Sequence, residues 1–468
     1  MTAAVQGTPR PVTRRRLFTV VALCIPVLFF VLVEAGLRLA GYGHSYPLFI
    51  PVTEAPGFLQ ANPESVKRFV VDEFATPDVR IHPTRFPEHK APGTVRIVVQ
   101  GGSTAAGFPY GYGASLAGML QQRLRATWPD INFEIITTAM PAVNSYTLLD
   151  FADEIIRQQP DAVLIYAGHN EYLGILGVGS ALSAGRSRAV ILALLALRES
   201  RLLQLLMHSY QVATSRQPVD VEAITNSSGT LMRRIVGKRH IPLDSALYRE
   251  GEQQFRSNLA SLLARYRDAR IPVFIGTLAS NENGMAPFIS ELAADTDAAA
   301  WQAKYAAGSE ALQRDDLATA QEALTEAVAL DDTAASAYYA LGQLLENRGE
   351  YSPAREAYLA AKDRDQLRFR APEAFNTAIR ELASDYGAHV VEVQASLLDA
   401  AAHGIIGNDL MLEHLHPNLP GYFLLADAYF EALREQGLID AREQTVDREL
   451  AWKEIPITDV DRLNGHYQ

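Results

Sequence analysis

A single cysteine, Cys24, stands in a chain of 468 residues, so no disulfide can form within it. A core of this size holds together without one, even outside the cytoplasm. Basic charge is in deficit as well. Lys and Arg number 42 against 54 Asp and Glu, a net charge of -12. That balance gives no concentrated basic surface and excludes nucleic acid as a partner. Only one apolar run approaches the thickness of a bilayer. It covers Leu17 to Val33, follows Arg14, Arg15 and Arg16, and continues through Glu34 and Arg38 to Gly41. A spanning helix takes roughly 17–25 residues, and snorkelling of Arg38 completes the length. Arginines ahead of the run keep the N-terminus in the cytoplasm. The expectation is a single-pass membrane protein. Residues 1–16 are then cytoplasmic, 17–41 form a signal anchor, and the rest is extracytoplasmic (periplasmic if bacterial). A cleaved signal peptide is the alternative, with small residues from Ala35 to Ala40, but the run is long for one. Cys24 follows the bulky Leu23 inside the run and is discounted as a lipoprotein site.

What is present reads as folded. Hydrophobic residues make up 48% and charged residues 21%. Residues 42–92 hold Pro47, Pro51, Pro56, Pro63, Pro77, Pro83, Pro87 and Pro92, which suits an extended connector on a domain surface. From Val95 short apolar runs alternate with helical patterns. Strands are expected at Val95–Val99, Asn132–Thr138, Ala162–Tyr166, Val273–Gly276 and Val390–Val393. Helices are expected at Ala114–Thr127, Tyr146–Gln158, Gln253–Arg267, Pro372–Asp385 and Gly421–Gln436. This order predicts an α/β fold, a flavodoxin-like three-layer α/β/α arrangement on a five-stranded parallel sheet. A ligand then lies beyond the C-terminal strand ends.

The α/β domain divides into 93–172, 246–300 and 367–440, with a tail over 441–468. Two insertions separate the parts. Residues 173–245 include a very apolar stretch from Arg186 to Tyr210, read as a helix pair or bent helix that caps the core. A lid or membrane-facing surface is the sharper alternative. Residues 301–366 repeat with an offset of 34: Gly308 matches Gly342, Leu317 matches Tyr351, and Ala320, Ala323 and Ala327 match Ala354, Ala357 and Ala361. That is the tetratricopeptide (TPR) signature. Two repeats cannot bury a solenoid core alone. They must pack on the α/β domain, on the helix near Trp301, or on a protein partner.

Three blocks carry chemistry. The first strand runs into Gln100-Gly-Gly-Ser103-Thr104, where a serine beside glycines meets substrate closely; Gly-Gly-Ser is also an ordinary turn. The third strand runs into Gly168-His-Asn170-Glu171-Tyr172. An Asn there can donate its amide to an oxyanion or close an Asx turn. Near the C-terminus lies Asp409-Leu-Met-Leu-Glu413-His414-Leu-His416-Pro417. A carboxylate three residues before a histidine can orient it as a proton acceptor for serine. His414 and His416 are too close, with no third histidine nearby, to favour a metal. No metal and no cofactor is expected. Asn281, after the fourth strand, and Arg370 are candidate substrate contacts. A turn role for Asn281 and surface ion pairs for Arg368 and Arg370 are the blander readings.

Together the blocks resemble the SGNH (GDSL-like) serine hydrolase superfamily, in the branch with embedded tetratricopeptide repeats and a membrane anchor. The resemblance spans residues 95–430 apart from the insertions. It implies Ser103 as nucleophile, His416 as general base, and an oxyanion hole of the Ser103 and Ala142 backbone N–H groups with the Asn170 amide. Ala142 stands where the family has Gly, and Glu413 where it has Asp. Asp409 is the fallback acid. Glu171 replaces the Asp of the third block and is read as structural. The implied function is that of a serine esterase on an ester or acylated glycan or lipid of the cell envelope. An O-acyltransferase using the same site and an inert repeat scaffold are the rivals.

Overall fold

The computed structural model describes residues 12–70, 79–180, 187–214, 240–438 and 446–467. The start of the N-terminal segment, parts of the 173–245 insertion and part of the 441–468 tail lie outside the described residues. Helix α1 (Val12–Leu39) opens the chain, and its stretch Phe18–Leu39 is long and apolar enough to cross a membrane. Three short strands follow, β1 (Phe49–Pro51), β2 (Phe58–Ala61) and β3 (Arg85–Pro87). They pair antiparallel in chain order. The proline-rich connector is thus not simply extended. Its prolines sit at strand margins (Pro51, Pro87), where no ladder N–H is needed.

The α/β domain begins with β4 (Thr94–Gly101), α2 (Leu116–Thr127), β5 (Asn132–Thr137), α3 (Ser145–Ile156) and β6 (Ala162–Tyr166). Helices α4 (Arg188–Leu197) and α5 (Arg201–Thr214) follow. The domain resumes with α6 (Ala246–Asp268) and β7 (Val273–Gly276). Next come α7 (Ala298–Gln313), α8 (Leu317–Leu330), α9 (Ala335–Asn347) and α10 (Tyr351–Arg364). It closes with α11 (Glu373–Tyr386), β8 (His389–Val391), α12 (Val393–Ala400) and α13 (Leu419–Glu435), followed by the short α14 (Arg448–Lys453) and α15 (Asp459–Tyr467). The last strand is shorter than its apolar run, because Val393 already opens α12.

The five strands form one parallel sheet in the order β5-β4-β6-β7-β8. Helices α3, α6 and α11 pack together on one face, and α2, α12 and α13 on the other. This is the flavodoxin-like three-layer α/β/α arrangement. Strands β4 and β6 are buried almost throughout, as their unbroken apolar runs require.

Helices α7–α10 are an insertion between β7 and α11. They make two hairpins whose second helices, Leu317–Leu330 and Tyr351–Arg364, are offset by 34 residues. Gly308 and Gly342 permit the close approach. A Cβ at Gly308 would lie 2.7 Å from Leu324 Cγ, and one at Gly342 would lie 2.7 Å from the Tyr358 ring. Ala311, Ala320, Leu324, Ala340 and Leu344 form the seam between the hairpins. The outer hairpin buries Ala354 and Tyr358 against Ile405, a residue of the α/β domain. That contact supplies the cover that two hairpins alone lack.

Helices α1, α4 and α5 belong to a separate compact unit. Within it, Glu34 of α1 accepts hydrogen bonds from the Arg201 and Leu202 backbone N–H groups (3.0 and 2.9 Å) and from the Ser200 hydroxyl (3.0 Å). The carboxylate therefore satisfies the unpaired donors at the start of α5.

Candidate active site

The site lies along the C-terminal edge of the parallel sheet. Gly101 ends β4 in tight contact: a Cβ there would lie 2.4 Å from the Tyr166 carbonyl oxygen and 2.3 Å from Ala105 Cβ. Only glycine lets β4 pass this close to the end of β6. Ser103 follows in a compact turn in which the Ala106 N–H donates to the Gly102 carbonyl and the Phe108 N–H to the Ser103 carbonyl, both at 3.1 Å. The turn presents Ser103 Oγ to the loop before α13. There His416 Nε2 lies 2.7 Å from Ser103 Oγ. On its other side, His416 Nδ1 contacts Glu413 Oε1, and the same oxygen accepts the His416 backbone N–H at 2.7 Å. The Phe108 ring packs on the imidazole at 4.7 Å between centroids.

Burial pushes the His416 imidazole down to about 3, so it is neutral at pH 7 and Nε2 can accept a proton. Its contact with Glu413 assigns the Nδ1 hydrogen to the carboxylate side. Glu413 Oε2 contacts a second imidazole, Nδ1 of His414. Burial also lowers His414 well below the usual histidine value, with the Arg370 charge adding to the effect. Among the described residues no group of three or more His, Cys, Asp or Glu could hold a metal ion.

Asp409 stands apart from this array. Its oxygens accept the Ala402 and Gly407 backbone N–H groups at 3.1 and 3.2 Å, which shapes the loop. The two candidate acids therefore do different work, and the one touching His416 is Glu413.

Asn170 comes to the same edge from the end of β6. Its amide nitrogen would lie 3.2 Å from a Cβ at Gly102, so Gly102 makes room for it beside Ser103. Ala142 arrives from the loop after β5, with φ of 62°, in the small left-handed region that a glycine would enter freely. Its carbonyl accepts the Ile175 N–H at 2.8 Å, which ties this loop to the one after β6. The backbone N–H groups of Ser103 and Ala142 and the Asn170 amide find no acceptor among the described residues. Ser103, Ala142 and Asn170 are 9%, 2% and 7% exposed, so these donors are poorly hydrated.

Glu171, next to Asn170, is fully buried and holds elements together. It accepts the Ser145 backbone N–H (3.1 Å) and hydroxyl (2.7 Å) and the Gln254 amide (2.7 Å). Burial raises it to about 7. His169 accepts the Ala371 N–H at 3.2 Å through Nδ1, and burial lowers it to about 3.

The remaining candidates serve the framework. The Asn281 amide donates to Asn408 Oδ1 and its oxygen accepts the Gly284 N–H, both at 2.8 Å. The expectation of surface ion pairs for the two arginines needs correction. Arg370 is 4% exposed and donates to Asp365 (3.1 Å) and to the Asn281 and Met285 carbonyls (3.1 and 3.2 Å). Arg368 is 2% exposed and donates to the Ile241 carbonyl at 2.8 Å and to that of Asp363. Both guanidinium groups brace the chain that returns from the insertion. Phe108 and the second imidazole on Glu413 carry no role in a sequence reading. Phe108 lies in a turn with no motif of its own, and His414 shows only as a neighbour of His416.

No protein-family model matches the chain, and no curated protein is similar to it in sequence. Among solved structures, a protein described as a GDSL-like lipase from Parabacteroides merdae is similar with a TM-score of 0.37 and 13% identity, over 75% of this chain and 100% of that one. The acetylxylan esterase Axe2 from Geobacillus stearothermophilus gives 0.35 and 12%, over 75% and 99%. The esterase EstA from a Pseudoalteromonas species gives 0.31 and 12%, over 73% and 97%. At such scores none of these likenesses bears on what the chain does.

Proposed function

We propose that the protein is a serine esterase of the SGNH type, held by α1 as a single-pass anchor with its α/β domain outside the cytoplasm. The observation that carries this reading is the 2.7 Å approach of Ser103 Oγ to a neutral His416 whose Nδ1 faces Glu413. A binding module has no need of that relay. His416 Nε2 takes the Ser103 proton as Oγ attacks the ester carbonyl, and the imidazolium that forms is stabilised by Glu413. The charge developing on the carbonyl oxygen goes to the Ser103 and Ala142 N–H groups and the Asn170 amide. Desolvated donors of this kind contribute about 3–4 kcal/mol each in comparable sites. His416 then protonates the leaving alcohol. Water, activated by the same imidazole, releases the acid from Ser103.

The substrate class that fits an extracytoplasmic esterase is an O-acyl ester of an envelope glycan or lipid. The helical insertion is read as a pair of tetratricopeptide repeats.

The test is labelling with a fluorophosphonate probe. The wild-type protein should become covalently modified at Ser103 and lose esterase activity in step. S103A should remain unlabelled. Equal labelling of the two proteins would remove Ser103 from the reaction.

A further inference from the structure

The loop after β7 touches both the helical insertion and the segment that carries His416. Glu282 is the joint. Its carboxylate is 2% exposed and receives the Arg355 guanidinium of α10 through Nε (3.2 and 3.1 Å) and Nη2 (3.0 Å). The same carboxylate accepts the Ile406 backbone N–H at 3.2 Å, and the Glu282 N–H donates to the Ile406 carbonyl at 2.7 Å. On one side of Glu282, the Asn281 N–H donates to the His414 carbonyl at 3.1 Å and the Asn281 amide to Asn408 at 2.8 Å. On the other side, the Asn283 amide donates to Glu346 of α9 at 2.9 Å, and Tyr339 of α9 donates its hydroxyl to the Asn283 carbonyl. Tyr351 of α10 also stacks on His403, with centroids 4.0 Å apart.

Residues 403–414 are thus held at His403, Ile405, Ile406, Asn408 and His414, either by the insertion directly or by the loop it grips. His416 is two residues further on. An ion pair with its acid buried and Arg355 26% exposed is a poor device for stability, since desolvation of the acid offsets much of the attraction. It is a good device for fixing one geometry. Burial pushes the Glu282 carboxyl up, and the Arg355 guanidinium opposes that shift. Without Arg355 the joint would hold an unpaired acid.

We infer that the helical insertion acts as a strut for the catalytic loop, with Glu282 and Arg355 as positioning residues that set His416 against Ser103. The insertion is then part of the catalytic centre and not an appendage that only recruits a partner. This rests on the reading of Ser103 and His416 as a catalytic pair, but the coupling can be measured without catalysis.

The experiment compares wild type, R355A, R355K and K304A as full-length protein. Lys304 lies in α7 and pairs with Glu326, away from the joint. Two quantities are read: amide hydrogen exchange of peptides covering 402–416, and kcat per active site titrated with a fluorophosphonate. R355A should exchange faster across 402–416. It should lose about tenfold to a hundredfold in kcat per titrated site, the scale of a misplacement near 1 Å, with KM close to wild type. R355K should recover much of both, and K304A should match wild type in both. Wild-type exchange at 402–416 in R355A would overturn the inference. So would a loss confined to the number of titrated sites, which is what a merely structural role predicts. If R355A does not fold, E282Q keeps an acceptor for Ile406 while removing the charge, and is read by the same criteria. Failure of wild type to label at Ser103 counts against the esterase reading alone, because the exchange measurement does not depend on it.

Discussion

Glu413 reaches His416 with one methylene more than the aspartate its place suggests, and the local backbone absorbs the difference. The His416 N–H turns back onto the same Glu413 oxygen that faces Nδ1, so the longer side chain is folded into a closed three-residue turn. In the proposed reaction this carboxylate holds the imidazole in one tautomer and stabilises its charged form. E413Q presents an amide to Nδ1 and should lower kcat/KM about 10³–10⁴-fold. D409N should have a far smaller effect, since Asp409 bonds only loop N–H groups. Steady-state kinetics of the two variants decide the matter, and a larger loss in D409N would transfer the acid to that residue. Most of this was legible in sequence. Ser103 and Asn170 each follow a strand whose apolar run marks its end, and His416 stands three residues after a carboxylate. The choice between Glu413 and Asp409 was not legible, because spacing alone does not say which carboxylate turns toward the ring. Nor was the burial of Arg368 and Arg370. Charged residues are normally solvated, and only the fold brings Asp365 and free carbonyl oxygens to enclose them.

The elements around the site are joined by polar residues buried between them. Glu171 connects the end of β6 to the first turn of α3, through Ser145, and to α6, through Gln254. Asn258 of α6 completes the cluster with a 2.9 Å bond to the Ser145 hydroxyl. A carboxyl here sits at a helix N-terminus, which favours its charge, yet burial dominates and raises it from 4.5 to about 7. The folded state therefore holds this proton more tightly than the unfolded state. Its stabilising contribution is complete below pH 4.5 and is lost as pH rises to about 7. In E171Q that dependence disappears. The stability of wild type relative to E171Q should fall by about 3 kcal/mol across this window, read from urea melts at several pH values. Parallel pH profiles for the two proteins would contradict it. At this scale the sequence served the long elements best. Strand β6 and strand β7 sit where their apolar runs and flanking turns put them. The small antiparallel sheet did not show, because strands of three and four residues bounded by proline carry too little alternation to register. Helix α12 was missed because its first residue, Val393, extends the strand-like alternation of Val391 and Glu392. The helical insertion carries its 34-residue offset in the sequence, since glycine at a close helix crossing, as at Gly308 and Gly342, is a steric demand.

For the molecule as a whole, the feature with most consequence is an apolar helix left largely exposed among the described residues. Residues of α1 such as Phe18, Leu23 and Val27 are 75%, 67% and 62% exposed, and no part of the span Phe18–Leu39 is buried. An exposed apolar surface of that length is unfavourable in water, which supports the proposed membrane anchor. Direction follows from charge. Arg14, Arg15 and Arg16 lie ahead of the span, and positive residues flanking a first span stay on the cytoplasmic side. On the proposed topology the α/β domain is exported, where a chain with one cysteine needs no oxidative folding to mature. Reporter fusions test the direction. With the whole chain expressed in a bacterium, alkaline phosphatase joined after Gln468 should be active, and green fluorescent protein at the same place should stay dark. Replacing the three arginines with glutamate should weaken or invert that pattern, since the basic bias is what orients the span. The opposite result for the unaltered chain would put the domain in the cytoplasm. It would leave the Ser103 chemistry intact but remove the envelope ester as its substrate.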